Sequence, residues 1–108
     1  MKWYKNLYFG ESISPKAHRI INKIKKNKFT PDVYLVALAS NPKNQLDIIP
    51  SWELMQSGYP KEQVQIIGLA KGKKEAVALV TSIVEEVFAE TKDANIRQYL
   101  ENKWREPT

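Results

Sequence analysis

Two almost unbroken apolar runs limit what this chain can fold into. Val33-Tyr34-Leu35-Val36-Ala37-Leu38-Ala39 and Val64-Gln65-Ile66-Ile67-Gly68-Leu69-Ala70 are each of strand length. A strand with one wet face alternates apolar and polar residues, whereas a run that does not alternate has to be covered on both faces. The rest of the chain offers that cover. After Ser14-Pro15, a cap and a first helical position, Ala17, Ile20, Ile21 and Ile24 recur at helical spacing and form one buried stripe. A longer amphipathic stretch over 73–90 carries Ala76, Val77, Leu79, Val80, Ile83, Val84, Val87 and Phe88 across half of its circumference. Asp93 can cap a last short helix, from which Ile96, Leu100 and Trp104 pack back.

The aromatic-rich segment 3–9 reads as a further strand near an edge, because Lys5 and Asn6 interrupt it. In the stretch from Leu46 to Gly58, Pro50 either kinks a helix or starts a short one over 50–57 that Gly58 closes, with Leu46, Ile49, Leu54 and Met55 inward. The order is then strand, helix, strand, helix, strand, helix, helix, an alternation that argues for right-handed crossovers. The expected fold is one small three-layer α/β domain over residues 1–108 with a mostly parallel three-stranded sheet. The two apolar strands are expected side by side with the aromatic strand outside them, and 104–108 as a frayed tail.

A chain of 108 residues can bury about two-thirds of its unfolded surface, enough for a core without covalent staples. It has no cysteine, which excludes disulfides, thiolate metal sites and a cysteine nucleophile. His18 is the sole histidine, so histidine-rich metal sites are excluded, and a Ser-His-acid triad would have to combine it with Ser12 or Ser14. His18 lies off the buried stripe of its helix, which places it on the surface. Glu85 and Glu86 fall on the polar half of the long helix and suggest no acid–base pair. The segment Gly68 to Lys74 is one residue short of P-loop spacing, with Lys74 where a magnesium-binding hydroxyl is needed, and the dinucleotide fingerprint is absent. The sequence thus calls for no metal and no cofactor and leans away from catalysis. No window of about 18 apolar residues occurs and the start lacks a signal-peptide core, so a cytoplasmic address without membrane insertion is expected.

The net charge of +5 is unevenly spread. Residues 1–28 carry eight basic side chains against Glu11 alone, while residues 29–108 carry nine against eleven acidic ones. Lys16, Arg19, Lys23 and Lys26 form a stripe opposite the apolar stripe of the first helix. It offers phosphate contacts to a nucleic acid but has no aromatic partner on its own face; its plain alternative is a solvated lysine surface. A second basic cluster breaks a local rule. Helices favour acids at their start and bases at their end, yet Lys71, Lys73 and Lys74 surround the start of the long helix and Glu85, Glu86 and Glu90 lie towards its end.

Ligands of open parallel sheets sit beyond the carboxyl ends of the strands. Ser12 and Ser14, Ser40 and Asn41, and Gly68, Lys71, Gly72 and Lys73 belong to the three strand ends and form the candidate site for an anion, a phosphate or a carboxylate. The functional expectation is a non-catalytic binding or interaction module with this anion site, and a phosphate-bearing small molecule is among its expected partners. The alternative is a nucleic-acid-associated protein that uses Lys16, Arg19, Lys23 and Lys26. Eleven aromatic residues, among them Trp3, Tyr4, Tyr8, Trp52, Tyr59 and Trp104 near expected ends and loops, add a homodimer or another protein partner to the expectation.

Three phrases, Val33 to Asn41, Leu46-Asp47-Ile48-Ile49-Pro50 and Ile66-Ile67-Gly68-Leu69-Ala70-Lys71-Gly72, resemble small proteins of Gram-positive anaerobic bacteria over most of the chain. The resemblance implies a bacterial, cytoplasmic, stand-alone domain. It carries over no catalytic residue, because no activity is known for that group.

Overall fold

The computed structural model describes residues 1–40 and 44–105. Along the chain come β1 (Lys2–Phe9), α1 (Ala17–Lys25), β2 (Val33–Leu38), β3 (Leu46–Pro50), α2 (Ser51–Leu54), β4 (Gln65–Lys71), α3 (Lys73–Thr91) and α4 (Ile96–Arg105). Short 3-10 turns occupy Ser14–Lys16 and Lys61–Gln63. Ser14 therefore opens a tight turn rather than α1 itself, and its side chain caps neither.

The four strands form one mixed sheet in the order β1-β4-β2-β3. The two apolar strands, β2 and β4, are adjacent, and aromatic β1 lies outside them on one edge. Their directions correct the expected mostly parallel, three-stranded sheet. Only β1 and β4 are parallel; β2 runs antiparallel to both β4 and β3. A run without alternation reports cover on both faces, and helices cover an antiparallel pair as well as a parallel one. The fourth strand comes from a stretch whose beginning was expected to lead into a helix. β3 pairs with β2 from Leu38 opposite Leu46 to Tyr34 opposite Pro50. As an edge strand it tolerates a partly exposed Asp47 and a terminal Pro50. The helix shrinks to Ser51–Leu54, although Ile49 and Leu54 do turn inward.

Each face of the sheet has its own core. Ala76, Leu79, Ile83 and Val87 of α3, with Ile96 and Leu100 of α4, pack on Tyr4, Val36, Leu38, Ile67 and Ala70. On the other face Ile13, Ile24 and Leu54 pack on Val33, Leu35, Ala37, Ile49, Ile66 and Leu69. Strict alternation could not send Ile66 and Leu69 one way and Ile67 and Ala70 the other. A register shift beside Gly68 makes it possible. A Cβ at Gly68 would stand 3.0 Å from the Tyr8 carbonyl oxygen and 3.1 Å from Leu79, so this glycine lets β1 and α3 close onto β4.

α3 buries a narrower stripe than its composition suggests, leaving Val77 and Phe88 exposed. Ahead of α4, Asn95 accepts the Gln98 N–H at 3.2 Å and donates to its side chain at 3.1 Å, while Asp93 holds the Asn95 N–H at 3.3 Å. The cap is thus Asn95, with Asp93 one step behind it. Trp104 belongs to α4, its ring 5.4 Å from that of Tyr4, so the tail expected to fray does not begin there. Residues 106–108 lie outside the described residues. Among the described residues no helix is long and apolar enough to cross a membrane.

The two sides of α3 give a direct contrast. Ile83→Ala is expected to lose about 2–5 kcal/mol, the range for emptying a closed core position, whereas Val77→Ala stays within about 0.5 kcal/mol of the parent. Urea denaturation followed by circular dichroism measures both. Equal losses would mean that α3 packs on a different face.

Candidate functional site

The reversal of β2 decides which loops meet. Phe9 pairs with Leu69, Val33 with Lys71, and Tyr34 with Pro50, so β1 and β4 leave the sheet where β2 enters it. That end collects Gly10 to Ser14, Thr30 to Asp32, Pro50 to Trp52, and Lys71 to Lys73. The Gly72 N–H donates to the Asp32 carbonyl at 2.6 Å and ties two of these segments together. Of the expected anion site, Ser12, Ser14, Lys71, Gly72 and Lys73 share this end. Ser40 does not: its strand runs the other way, and it follows Ala39, whose N–H bonds Gln45 before β3. Asn41 lies outside the described residues. Gly68 is enclosed in the sheet.

The notch between the ends of β1 and β4 already holds a carboxylate. Glu75, in the first turn of α3, accepts the Ser12 N–H at 3.0 Å and the Lys71 N–H at 2.6 Å. Gly10 makes this approach possible, since a Cβ there would collide with the carboxylate. Burial pushes the Glu75 carboxyl pKa up, but hydrogen bonds from Lys71 and Ser12, helped by the Lys71 charge, outweigh it and hold it below the ordinary value. The long helix thus has an acid at its start after all, where its dipole favours one. Two of the backbone donors in this notch, the N–H groups of Ser12 and Lys71, are thus taken by the chain's own carboxylate.

The basic surface lies next to this notch. A cleft of about 240 Å³ opens between α1 and the end of β4. Lys16, Arg19 and Lys23 line it from the α1 side, Lys71 from the sheet, and Ser12 and Thr30 from the loops, over an apolar floor of Ile13, Ile20 and Val33. No lining residue is acidic. Among the described residues Lys16, Arg19 and Lys23 make no ion pair, whereas Arg97 pairs with Glu101 at 3.0 Å elsewhere in the fold. The structure therefore joins most of the basic stripe to Lys71 and Ser12, two residues of the other candidate set. Lys26, at the end of α1, and Ser14, Gly72 and Lys73 do not line the cleft.

A second groove, also of about 240 Å³, adjoins the first, and Thr30, Pro31 and Val33 line both. Phe29 and Trp52 line it as well, 65% and 52% exposed. Their neighbours are fixed. The buried Thr30 hydroxyl donates to Ser51 Oγ at 2.8 Å, and Ser51 Oγ donates to the Thr30 carbonyl at 2.9 Å.

Other candidate chemistry is distributed elsewhere. His18 is exposed on α1. Glu86 accepts the Tyr8 hydroxyl; burial, followed by this carboxylate, raises the Tyr8 pKa. Among the described residues no three histidine, aspartate or glutamate side chains cluster to hold a metal ion. Most of the aromatic residues expected at ends and loops are used in packing. Tyr4 is buried between Tyr8 and Trp104, and Lys25 stands 5.6 Å over the Trp3 ring. Of those six, Trp52 alone is exposed. No protein-family model, curated protein or solved structure matches the chain.

Two kinds of site residue escape the sequence reading. Glu75 was legible in principle: it stands three residues after Gly72, the spacing at which an acid reaches back over a helix start. Phe29 and Trp52 were not, because their proximity depends on the pairing of β2 with β3.

A depressed folded pKa stabilises the fold above the ordinary carboxyl range, and that stabilisation is lost as the pH falls through the folded value. The stability difference between the parent and Glu75→Gln is therefore expected to shrink as the pH is lowered from about 7 to about 3. Gly10→Ala, which displaces the same carboxylate, is expected to follow Glu75→Gln. Urea midpoints across this range provide the check, and a difference independent of pH would contradict the assignment.

Proposed function

We propose that this chain is a non-catalytic binding module that holds a phosphate-bearing ligand in the cleft between α1 and the end of β4. The supporting observation is the convergence of Lys16, Arg19, Lys23 and Lys71 on one concave surface with no acidic lining residue. Arg19 and Lys23 stand four residues apart on α1, where like-charge neighbours cost about 0.2–0.5 kcal/mol, and a bound anion relieves this; Lys16, in the turn just before α1, adds to the same field. Arg19 offers a planar fork that suits two phosphate oxygens, and the lysines act as point charges around it. The lining offers Ser12 neither a carboxylate nor an imidazole, which favours a reading of the cleft as a place that holds its ligand. A bacterial, cytoplasmic setting belongs to the same proposal.

The test is a thermal shift with inorganic tripolyphosphate at low salt. The parent is expected to gain stability with ligand concentration. Arg19→Glu and Lys71→Glu are each expected to abolish the gain, while Lys73→Glu, outside the cleft, retains most of it. Equal losses at Lys71 and Lys73 would return the ligand to the start of α3. A parent that does not respond would remove the proposal.

A further inference from the structure

We infer that the basic cleft and the Phe29–Trp52 groove form one continuous track for single-stranded nucleic acid, with phosphates along α1 and bases against the two rings. The inference rests on the phosphate-binding reading and adds the class of ligand. Three observations carry it.

The first is the spread of the charge. Lys16 and Lys23 are seven residues apart, about 10 Å along a helix axis, with Arg19 between them and Lys71 facing them across the cleft. A lone phosphate engages two or three of these cations, whereas a chain of phosphates engages them all. The second is adjacency. Thr30, Pro31 and Val33 line both the basic cleft and the aromatic groove, so the two lie side by side on one surface. The third is the fixed presentation of two exposed rings. Phe29 precedes Thr30 and Trp52 follows Ser51, and the reciprocal hydrogen bonds of that buried pair hold both aromatic-bearing segments in place. Exposed aromatic rings contribute nothing to a stacked duplex but give unstacked bases a surface to lie on. The groove also contains one acidic residue, Asp32, whose carbonyl is tied to Gly72. The cationic side of the track therefore belongs to the phosphates and the aromatic side to the bases.

The probe is a fluorescein-labelled oligothymidylate of about 12 nucleotides, within the site sizes of small single-strand binders, followed by anisotropy. Comparison ligands are a duplex of equal length, inorganic polyphosphate and polyglutamate. The single strand is expected to bind more tightly than any of them, with a log–log salt slope of about −3 for four phosphates. Phe29→Ala and Trp52→Ala are each expected to weaken it about five-fold or more. Both side chains are exposed, so the unfolding midpoint is expected to stay in place and show that the fold is intact. Trp52→Phe keeps a ring and is expected to recover most of the affinity. Arg19→Glu is expected to weaken binding to every phosphate polymer.

The other outcomes separate the two readings. Equal affinity for oligothymidylate and polyphosphate, with no effect of the aromatic substitutions, would overturn the nucleic-acid inference and leave the phosphate cleft standing. Polyglutamate binding as tightly as the oligonucleotide would overturn it in favour of an acidic peptide. Binding to none of these polymers, together with no response to tripolyphosphate, would overturn both.

Discussion

The burial of β4, with neighbours of opposite direction on its two sides, is the constraint on which the rest of the structure depends. Ile66, Ile67, Leu69 and Ala70 are shut off from water on two faces, so the strand must have a partner on each edge and helices above and below. β1 takes one edge parallel and β2 the other antiparallel. With β3 antiparallel to β2 on the far edge, one end of the sheet gathers three strand exits and one strand entrance. The cleft exists because of that choice: Ser12 follows β1, Lys71 ends β4, and Thr30 precedes β2. Had β2 run parallel to β4, its entrance, with Thr30 and Pro31, would have stood at the other end of the sheet.

The charges at this end divide into two groups. Glu75 accepts hydrogen bonds from the two backbone N–H groups that face the notch and sits where the α3 dipole favours a negative charge. Next to it, the cations of the α1 stripe line an open cleft without an acid among its walls. The two arrangements are complementary: the notch is satisfied from within by Glu75, to which the Lys71 charge also contributes, while Lys16, Arg19 and Lys23 face the cleft with no acid among its walls. A basic helix alone can be a solvated surface. The same helix facing Lys71 across a concave floor is a more specific arrangement, because a ligand there meets charge from two directions.

Much of the fold could be read from residue patterns. The two apolar runs became adjacent strands, the Ala17, Ile20, Ile21, Ile24 stripe became the packed side of α1, and Ala76, Leu79, Ile83 and Val87 became that of α3. Strand direction could not be read, because double-sided burial produces the same apolar run whichever way the chain passes. β3 was concealed for a related reason: five residues with an aspartate and a terminal proline make a weak signal, and its pairing partner supplies what its own sequence lacks. The candidate site suffered from both. Grouping Ser40 with Lys71 presupposes parallel strands, and the reversal of β2 separates them. Arg19 and Lys71 are far apart in sequence and point to different ligands there, yet they share one cleft. Trp52 could be counted as an aromatic residue, but its place beside Phe29 depends on the Thr30–Ser51 hydrogen bonds, which the sequence does not display.

The most direct measurement is an amide and indole chemical-shift map of the 15N-labelled protein titrated with oligothymidylate. The account predicts that the largest changes fall on Ser12, Arg19, Lys23, Thr30 and Lys71 and on the Trp52 indole, with little change along α3 and α4. Changes concentrated on Val77 and Phe88, or confined to Lys73 and Lys74 at the start of α3, would contradict it.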